Sequence, residues 1–322
     1  MSVTFNAAGG EELTAEFLTG EAYEFMKRLE KKRTVKNRNR LWTMILLFAL
    51  IAGLAILLYP TVSNQWNSRL MSRAVATYDE TVADLSEEDY SAYFEAAEAY
   101  NEALREIGSA MTITVPDLVE GYEETLASTG TGIMGYVTID KINVELPIYH
   151  GTDNSVLSVG AGHLEGTSLP IGGESTHSVI SAHRGMPSAL LFTNLDQLEE
   201  GDTFTITVLD QVFTYEVDQI TIVLPDEIEN LYIEEGEDYC TLMTCTPYGI
   251  NTHRLLVRGH RVDNADAAHI RVTAEANKID NWLVALFVAI PMLVILLIWL
   301  IVSTRKKSQR HDTQNTAENE KE

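Results

Sequence analysis

Two stretches of this chain carry no charge over about twenty residues each, and they limit what it can fold into more than anything else. Residues 41–59 read "LWTMILLFALIAGLAILLY" and residues 282–302 read "WLVALFVAIPMLVILLIWLIV". As a helix the first spans about 28 Å, close to the ~30 Å hydrocarbon core of a bilayer. Pro291 in the second is tolerable because membrane helices re-satisfy freed backbone groups locally. Trp42, Tyr59, Trp282 and Trp299 lie near the ends, where interface aromatics concentrate. "KRLEKKRTVKNRNR" abuts the first stretch and Arg305, Lys306 and Lys307 follow the second. The excess of basic residues on these flanks puts both termini in the cytoplasm and residues 60–281 outside. The first apolar run is too long, and starts too late, for a cleaved signal peptide.

The charge is distributed to match. The formal net charge is -24, and residues 60–281 hold 10 of the 23 basic side chains but 37 of the 47 acidic ones. A surface that negative repels nucleic acid. The sequence divides into a cytoplasmic tail (1–40), a membrane helix (41–59), an extracellular helical region (60–107), a loop (108–130), a β-rich domain (131–262), a linker (263–281), a second membrane helix (282–302) and a second tail (303–322). In the helical region, Ser86 and Asp89 form a capping pair. Tyr93, Ala96, Ala97, Tyr100 and Leu104 fall on one face, and Gly108 is a stop. From residue 133 the period changes to two. Phe204, Ile206 and Val208 alternate, a turn falls near Asp210-Gln211, and Phe213, Tyr215 and Val217 alternate again. Many short strands without intervening long helices predict a mainly β barrel or sandwich.

The chain has two cysteines. Cys240 and Cys245 are an odd number apart on one strand-like run, so their side chains point to opposite faces and a bridge between them is disfavoured. Outside a cell, a free thiol set in "TLMTCTPYGINTHRLLVRGHR" (241–261) needs a reason. A cysteine nucleophile needs a neighbouring base or fixed positive charge, and Cys with His suggests acyl transfer through a thioester. His150, His163, His177, His183, His253 and His260 lie in the β region, with His269 and His311 beyond it, and spacing alone does not choose among them. His183 has in its favour the strand-to-loop position at the end of "SVISAH". Arg254 and Arg258 share one face of a strand, and either could supply the charge. The spacings fit no zinc pattern, and composition points to no cofactor.

"TLMTC" resembles the TLxTC signature of sortases, the membrane-bound cysteine transpeptidases of Gram-positive bacteria. "YPTVSNQWN", "GAGHLEGTSLPIGG", "THSVISAHRGMP", "LFTNLDQLEEGD" and "YEVDQI" resemble class C, or pilus, sortases in order and spacing, over about residues 41–302. The resemblance implies an eight-stranded β-barrel with N-terminal helices and two flanking transmembrane helices. It implies a triad of His183, Cys245 and Arg254, with Thr244, Ser181 and His163 as substrate-binding candidates. The implied partners are pilin subunits bearing an LPxTG-like sorting signal and an acceptor lysine. A housekeeping sortase acting on the cell-wall precursor would use the same residues. A non-enzymatic scaffold would carry a broken triad, whereas all three residues are present.

Two features depart from the pattern. Pilus sortases often plug the site with a lid carrying an Asp-Pro-aromatic motif, but residues 108–122 read "GSAMTITVPDLVEGY". Pro116 and Asp117 are the lid candidates, and Met111, Ile113, Val115 and Leu118 are expected to fill the groove loosely. Cys240 stands where a small apolar residue is usual and is expected to be a buried hydrophobe.

Overall fold

A computed structural model describes residues 20–264 apart from 129 and 131, together with Pro291. Apart from residues 263–264 and Pro291, the expected linker, second membrane helix and C-terminal tail fall outside the described residues.

Helix α1 runs Gly20–Ala83. Its section Leu41–Ala83 contains a stretch long and apolar enough to cross a membrane, with no part of that stretch buried in the protein. Beyond it the helix turns one face to the barrel. Met71, Val75, Tyr78 and Val82 are buried, and the Tyr78 hydroxyl donates to the Met134 carbonyl (3.1 Å) and accepts from the Leu209 amide (2.7 Å). Helix α2, Glu87–Ile107, opens on the expected Ser86–Asp89 capping box. Ala97, Tyr100 and Leu104 are buried as the pattern predicts. Ala96 is exposed, and Asn101 takes a place in the buried face. Asn101 matches both backbone groups of Leu169, accepting from its amide (2.7 Å) and donating to its carbonyl (3.3 Å).

Eight strands close into a barrel in the order β1-β2-β3-β4-β7-β8-β6-β5. They are β1 Ile133–Ile139, β2 Val144–His150, β3 Ala161–His163, β4 Thr176–Ser181, β5 Thr203–Val208, β6 Gln211–Val223, β7 Asp238–Thr246 and β8 His253–Val262. The alternation read from the sequence holds: Phe204, Ile206, Val208, Phe213, Tyr215 and Val217 all point into the core. The β5–β6 turn falls at Leu209-Asp210, one residue earlier than expected, with Leu209 at φ 53°. Pairs β2–β3 and β4–β7 are parallel, and the rest are antiparallel. The parallel pairing of β4 with β7, itself paired with β8, sets β4 beside two strands that come much later in the chain. It is this pairing that assembles the site.

The segment expected as loop is ordered. Helix α3, Ser109–Thr114, is followed by a 3-10 turn at Pro116–Leu118. Val119, Tyr122 and Leu126 then sink into the core.

Candidate active site

Strand β7 divides its side chains between two surfaces. Cys240 and Leu242 face the barrel core, and Thr244 shares their parity. Cys245 falls on the outer face with Met243 and is partly exposed. Both thiols are free. Cys245 lies directly opposite Arg254 on β8. On the other side, Ser181 of β4 pairs with Met243, and the Ala182 amide donates to the Met243 carbonyl (3.2 Å). Carrying that register two residues further sets His183 beside Cys245. Adjacent strands are about 4.8 Å apart, so His183, Cys245 and Arg254 form one row at the end of three strands.

The register also distinguishes the two arginines. Arg258 is committed: its Nε and Nη2 donate to Asp218 (3.1 and 2.9 Å), its Nη1 to Glu234 (3.1 Å), and its guanidinium lies 4.0 Å over the Tyr239 ring. Arg254 makes only a 3.2 Å hydrogen bond to the His253 carbonyl among the described contacts, leaving its remaining donors for a ligand.

His177, His163 and His150 are held in structural hydrogen bonds. His177 donates from Nδ1 to the Tyr232 carbonyl (2.9 Å), and its Nε2 accepts from Thr241 (2.7 Å). His163 donates from Nε2 to the Ser168 carbonyl (2.8 Å), and its Nδ1 accepts from Tyr122 (2.9 Å). Burial holds the pKa of each down at about 4. His150 bonds the Thr125 carbonyl (2.8 Å), and His253 and His260 sit on β8. His269 and His311 lie outside the described residues.

All three residues expected to bind substrate are buried, and they differ in the face they occupy; the first of them is Ser181. It shares the outer face with Met243 and lies two residues before His183. Thr244 is buried, with its hydroxyl donating to the Ala182 carbonyl (2.8 Å), so it ties β7 to β4 from within. His163 is fully enclosed, and its ring atoms are satisfied by the connection after β3. Both are corrections to the sequence reading. Parity along β7 would have excluded Thr244, but nothing local in the sequence marks His163 as enclosed.

Arg184 was not anticipated. Its side chain is 10% exposed, pairs with Asp196 and donates to the Thr246 hydroxyl (3.3 Å). It therefore links the residue after His183 to the residue after Cys245. Its adjacency to the histidine was the one available clue.

From Cys245 an apolar floor runs down the outer face through Val179, Met243, Leu256 and Val223, with Leu231 at its side, and Ile113 of α3 packs onto it. Two directed bonds hold α3 there. Thr112 donates to the Gly166 carbonyl (2.8 Å), and the Ser109 hydroxyl accepts from the Ile233 amide (2.9 Å). Gly166, at φ +82°, must be glycine, since a Cβ would stand 2.2 Å from the Thr112 carbonyl oxygen. Met111, Val115 and Leu118, expected to fill the groove, are exposed, and Pro116 sits on the turn beyond. Asp117 lies on that same turn, and its side chain is outside the described ones. Helical spacing accounts for the difference: Met111 is two residues from Ile113, on the opposite side of the helix, and Val115 and Leu118 fall beyond its end.

Residues 137–262 match the model of the sortase domain. The crystal structure of sortase C1 from Streptococcus agalactiae is 49% identical, covers 60% of this chain and 99% of that one, and superposes with a TM-score of 0.56. A lid mutant of Streptococcus agalactiae sortase C1 is 43% identical with the same coverage and a TM-score of 0.54. Among curated proteins, sortase D of Bacillus subtilis is 33% identical over 40% of this chain and 63% of its own length. Sortase A of Streptococcus agalactiae is 31% identical over 35% of this chain and 47% of its own. The chain thus spans about half to three fifths of the length of these two curated relatives. The chain belongs to the sortase family of cysteine transpeptidases, and its solved neighbours are of class C.

Proposed function

We propose that this protein is a membrane-anchored class C sortase that polymerises pilin subunits. The observation that carries the reading is the row His183–Cys245–Arg254, set by strand register at the open end of an apolar groove. An extended LPxTG-like peptide lies along the floor with its threonine carbonyl at Cys245. The Cys245 thiolate attacks that carbonyl, and the Thr–Gly C–N bond breaks as His183 gives its proton to the departing amine. Arg254 holds the negative oxygen of the tetrahedral intermediate. A lysine amine of the next subunit then attacks the thioester. His183 takes the amine proton, an isopeptide bond forms, and the thiolate is released. No step draws on a metal or cofactor.

Residues 109–114 occupy the floor and act as a lid. They must swing out before a peptide binds. The membrane helix within 41–59, together with the expected second span at 282–302, holds the domain at the outer membrane surface, where secreted subunits emerge.

The test uses the full chain in nanodiscs with a pilin-type substrate that carries both a sorting signal and an acceptor lysine. Covalent ladders resolved on a denaturing gel, with isopeptide bonds located by mass spectrometry, are expected. Cleavage of the signal without ladders, even with lysine-bearing subunits in excess, would overturn the polymerase reading.

A further inference from the structure

The loop that carries His183 is held from an unexpected direction. Between β4 and β5 the chain runs through Arg184–Leu191 without regular structure before the short turn at Leu195. It closes on itself where the Phe192 amide donates to the His183 carbonyl (3.1 Å) and the Gly185 amide donates to Thr193 (3.1 Å). Its outer edge is fastened to α1. Asn67 donates from its side-chain nitrogen to the Ser188 carbonyl (2.9 Å), and the Leu190 amide donates to the Asn64 side-chain oxygen (2.8 Å). The two asparagines are three apart, so they lie on one helix face. Asn64 is five residues past Tyr59, the last residue of the apolar run, a rise of about 8 Å. Between the two tethered backbone groups, Ala189 is buried, as is Leu191 just beyond. The clamp therefore fixes a short, well-packed stretch rather than a loose tip.

We propose that Asn64 and Asn67 are positioning residues for His183, so that the membrane-exit turn of the anchoring helix is a working part of the site. The proposal deepens the transpeptidase reading and rests on it for the role of His183. The physical reason is reach. The loop backbone cannot shift at 188–190 without moving 192, and 192 is bonded to the residue that must hand a proton across to the leaving amine. A misplacement of about 1 Å at such a point costs up to roughly a hundredfold in rate. The clamp also makes an asymmetric demand. Asn64 serves only as an acceptor and Asn67 only as a donor, because their partners are a backbone N–H and a backbone carbonyl, whose roles are fixed.

That asymmetry is the test. In the full chain in nanodiscs, Asn64→Asp keeps an acceptor and is expected to retain kcat within about twofold. Asn67→Asp sets a carboxylate against a carbonyl and is expected to lower kcat about tenfold with KM unchanged. Asn67→Ala and Asn64→Ala are expected to fall between these, with melting temperatures close to that of the parent. Two further readouts do not depend on turnover. The Leu190 amide is expected to exchange its hydrogen faster in Asn64→Ala, and Cys245 alkylation in Asn67→Asp is expected to follow a pH profile moved toward that of His183→Ala. If the parent turns over no peptide, the functional reading fails, while the exchange and alkylation profiles still decide the clamp. Unchanged kcat and an unchanged alkylation profile in both Asn67 variants would overturn the proposal. So would equal damage from Asn64→Asp and Asn67→Asp.

Discussion

The outer face of the barrel carries two similar sets of side chains, one at each end. At the open end are His183 just past β4, Cys245 on β7 and Arg254 on β8. Some four to six residues down the same strands are His177, Thr241 and Arg258. Each set has a histidine, a hydroxyl or thiol, and an arginine; Thr241 pairs with Arg258 as Cys245 pairs with Arg254, while His177 lies opposite Tyr239, two residues from Thr241. In the lower set every member is engaged. Thr241 donates to His177, His177 donates to a backbone carbonyl, and Arg258 is divided between Asp218 and Glu234 above the Tyr239 ring. At the upper end the strands stop, and Arg254 enters no ion pair among the described residues. Residue type and register alone do not make a reactive site. What separates the two sets is whether neighbouring chain has already satisfied them.

The largest expected difference lies between the arginines. Arg254→Lys keeps the charge but loses the planar fork of donors, and a lost oxyanion donor costs roughly 10²–10³ in kcat. Arg258→Lys is expected to leave kcat within about threefold while lowering the melting temperature by about 2–4 °C, the mark of one weakened surface network. Steady-state cleavage of a sorting peptide and thermal unfolding of both variants check this. A severe rate loss in Arg258→Lys would exchange the roles of the two ends.

The histidines sharpen the comparison through pH. His163 and His177 are held neutral by burial, with folded pKa values of about 4 against 6.5 for an unperturbed imidazole. The unfolded chain therefore binds protons that the folded one refuses between pH 6.5 and 4, so the stability that each contributes is present above 6.5 and lost as pH falls toward 4. The loss is expected to be on the order of 2 kcal/mol per histidine at pH 5. Urea unfolding of His177→Gln at pH 7.5 and 5 should show a smaller acid loss than the parent, and an equal acid loss would refute the assignment.

The proposed lid gives a smaller effect. Removing the Thr112 hydroxyl loses one hydrogen bond, worth about 1 kcal/mol net, so Thr112→Val is expected to speed Cys245 alkylation about fivefold by favouring the open state. An unchanged alkylation rate would mean that α3 does not gate the thiol. Smaller still is Cys240→Ala. It removes a fully buried sulfur from the core and is expected to cost about 1 kcal/mol of stability, with peptide cleavage within twofold of the parent. Burial raises the Cys240 thiol well above its ordinary pKa, which removes it from nucleophilic chemistry.

Much of this was legible in the sequence, and for identifiable reasons. The period-two runs 204–208 and 213–217 marked their own inward faces, and the odd spacing of Cys240 and Cys245 separated core from surface. What stayed hidden depended on partners far away in the chain. Arg254 and Arg258 share a face and a residue type, and only the arrival of Asp218 and Glu234 from other elements tells them apart. His163 is enclosed by Tyr122, forty-one residues earlier. The contacts of α3 differ from those expected, because Thr112 and Ser109 meet backbone groups of Gly166 and Ile233 while Ile113 packs on the floor and Met111, Val115 and Leu118 stay exposed. A short polar helix carries no sequence mark of such contacts.

The central claim is that the thiol at the open end of the outer face, and no other, takes the acyl group. It is tested most directly by mixing the full chain with an LPxTG-like peptide in the absence of any amine acceptor, quenching in acid and mapping the adduct by mass spectrometry. One thioester is expected on the peptide containing Cys245, released by hydroxylamine and absent in Cys245→Ala. An adduct on Cys240, or peptide cleavage that persists in Cys245→Ala, would contradict it.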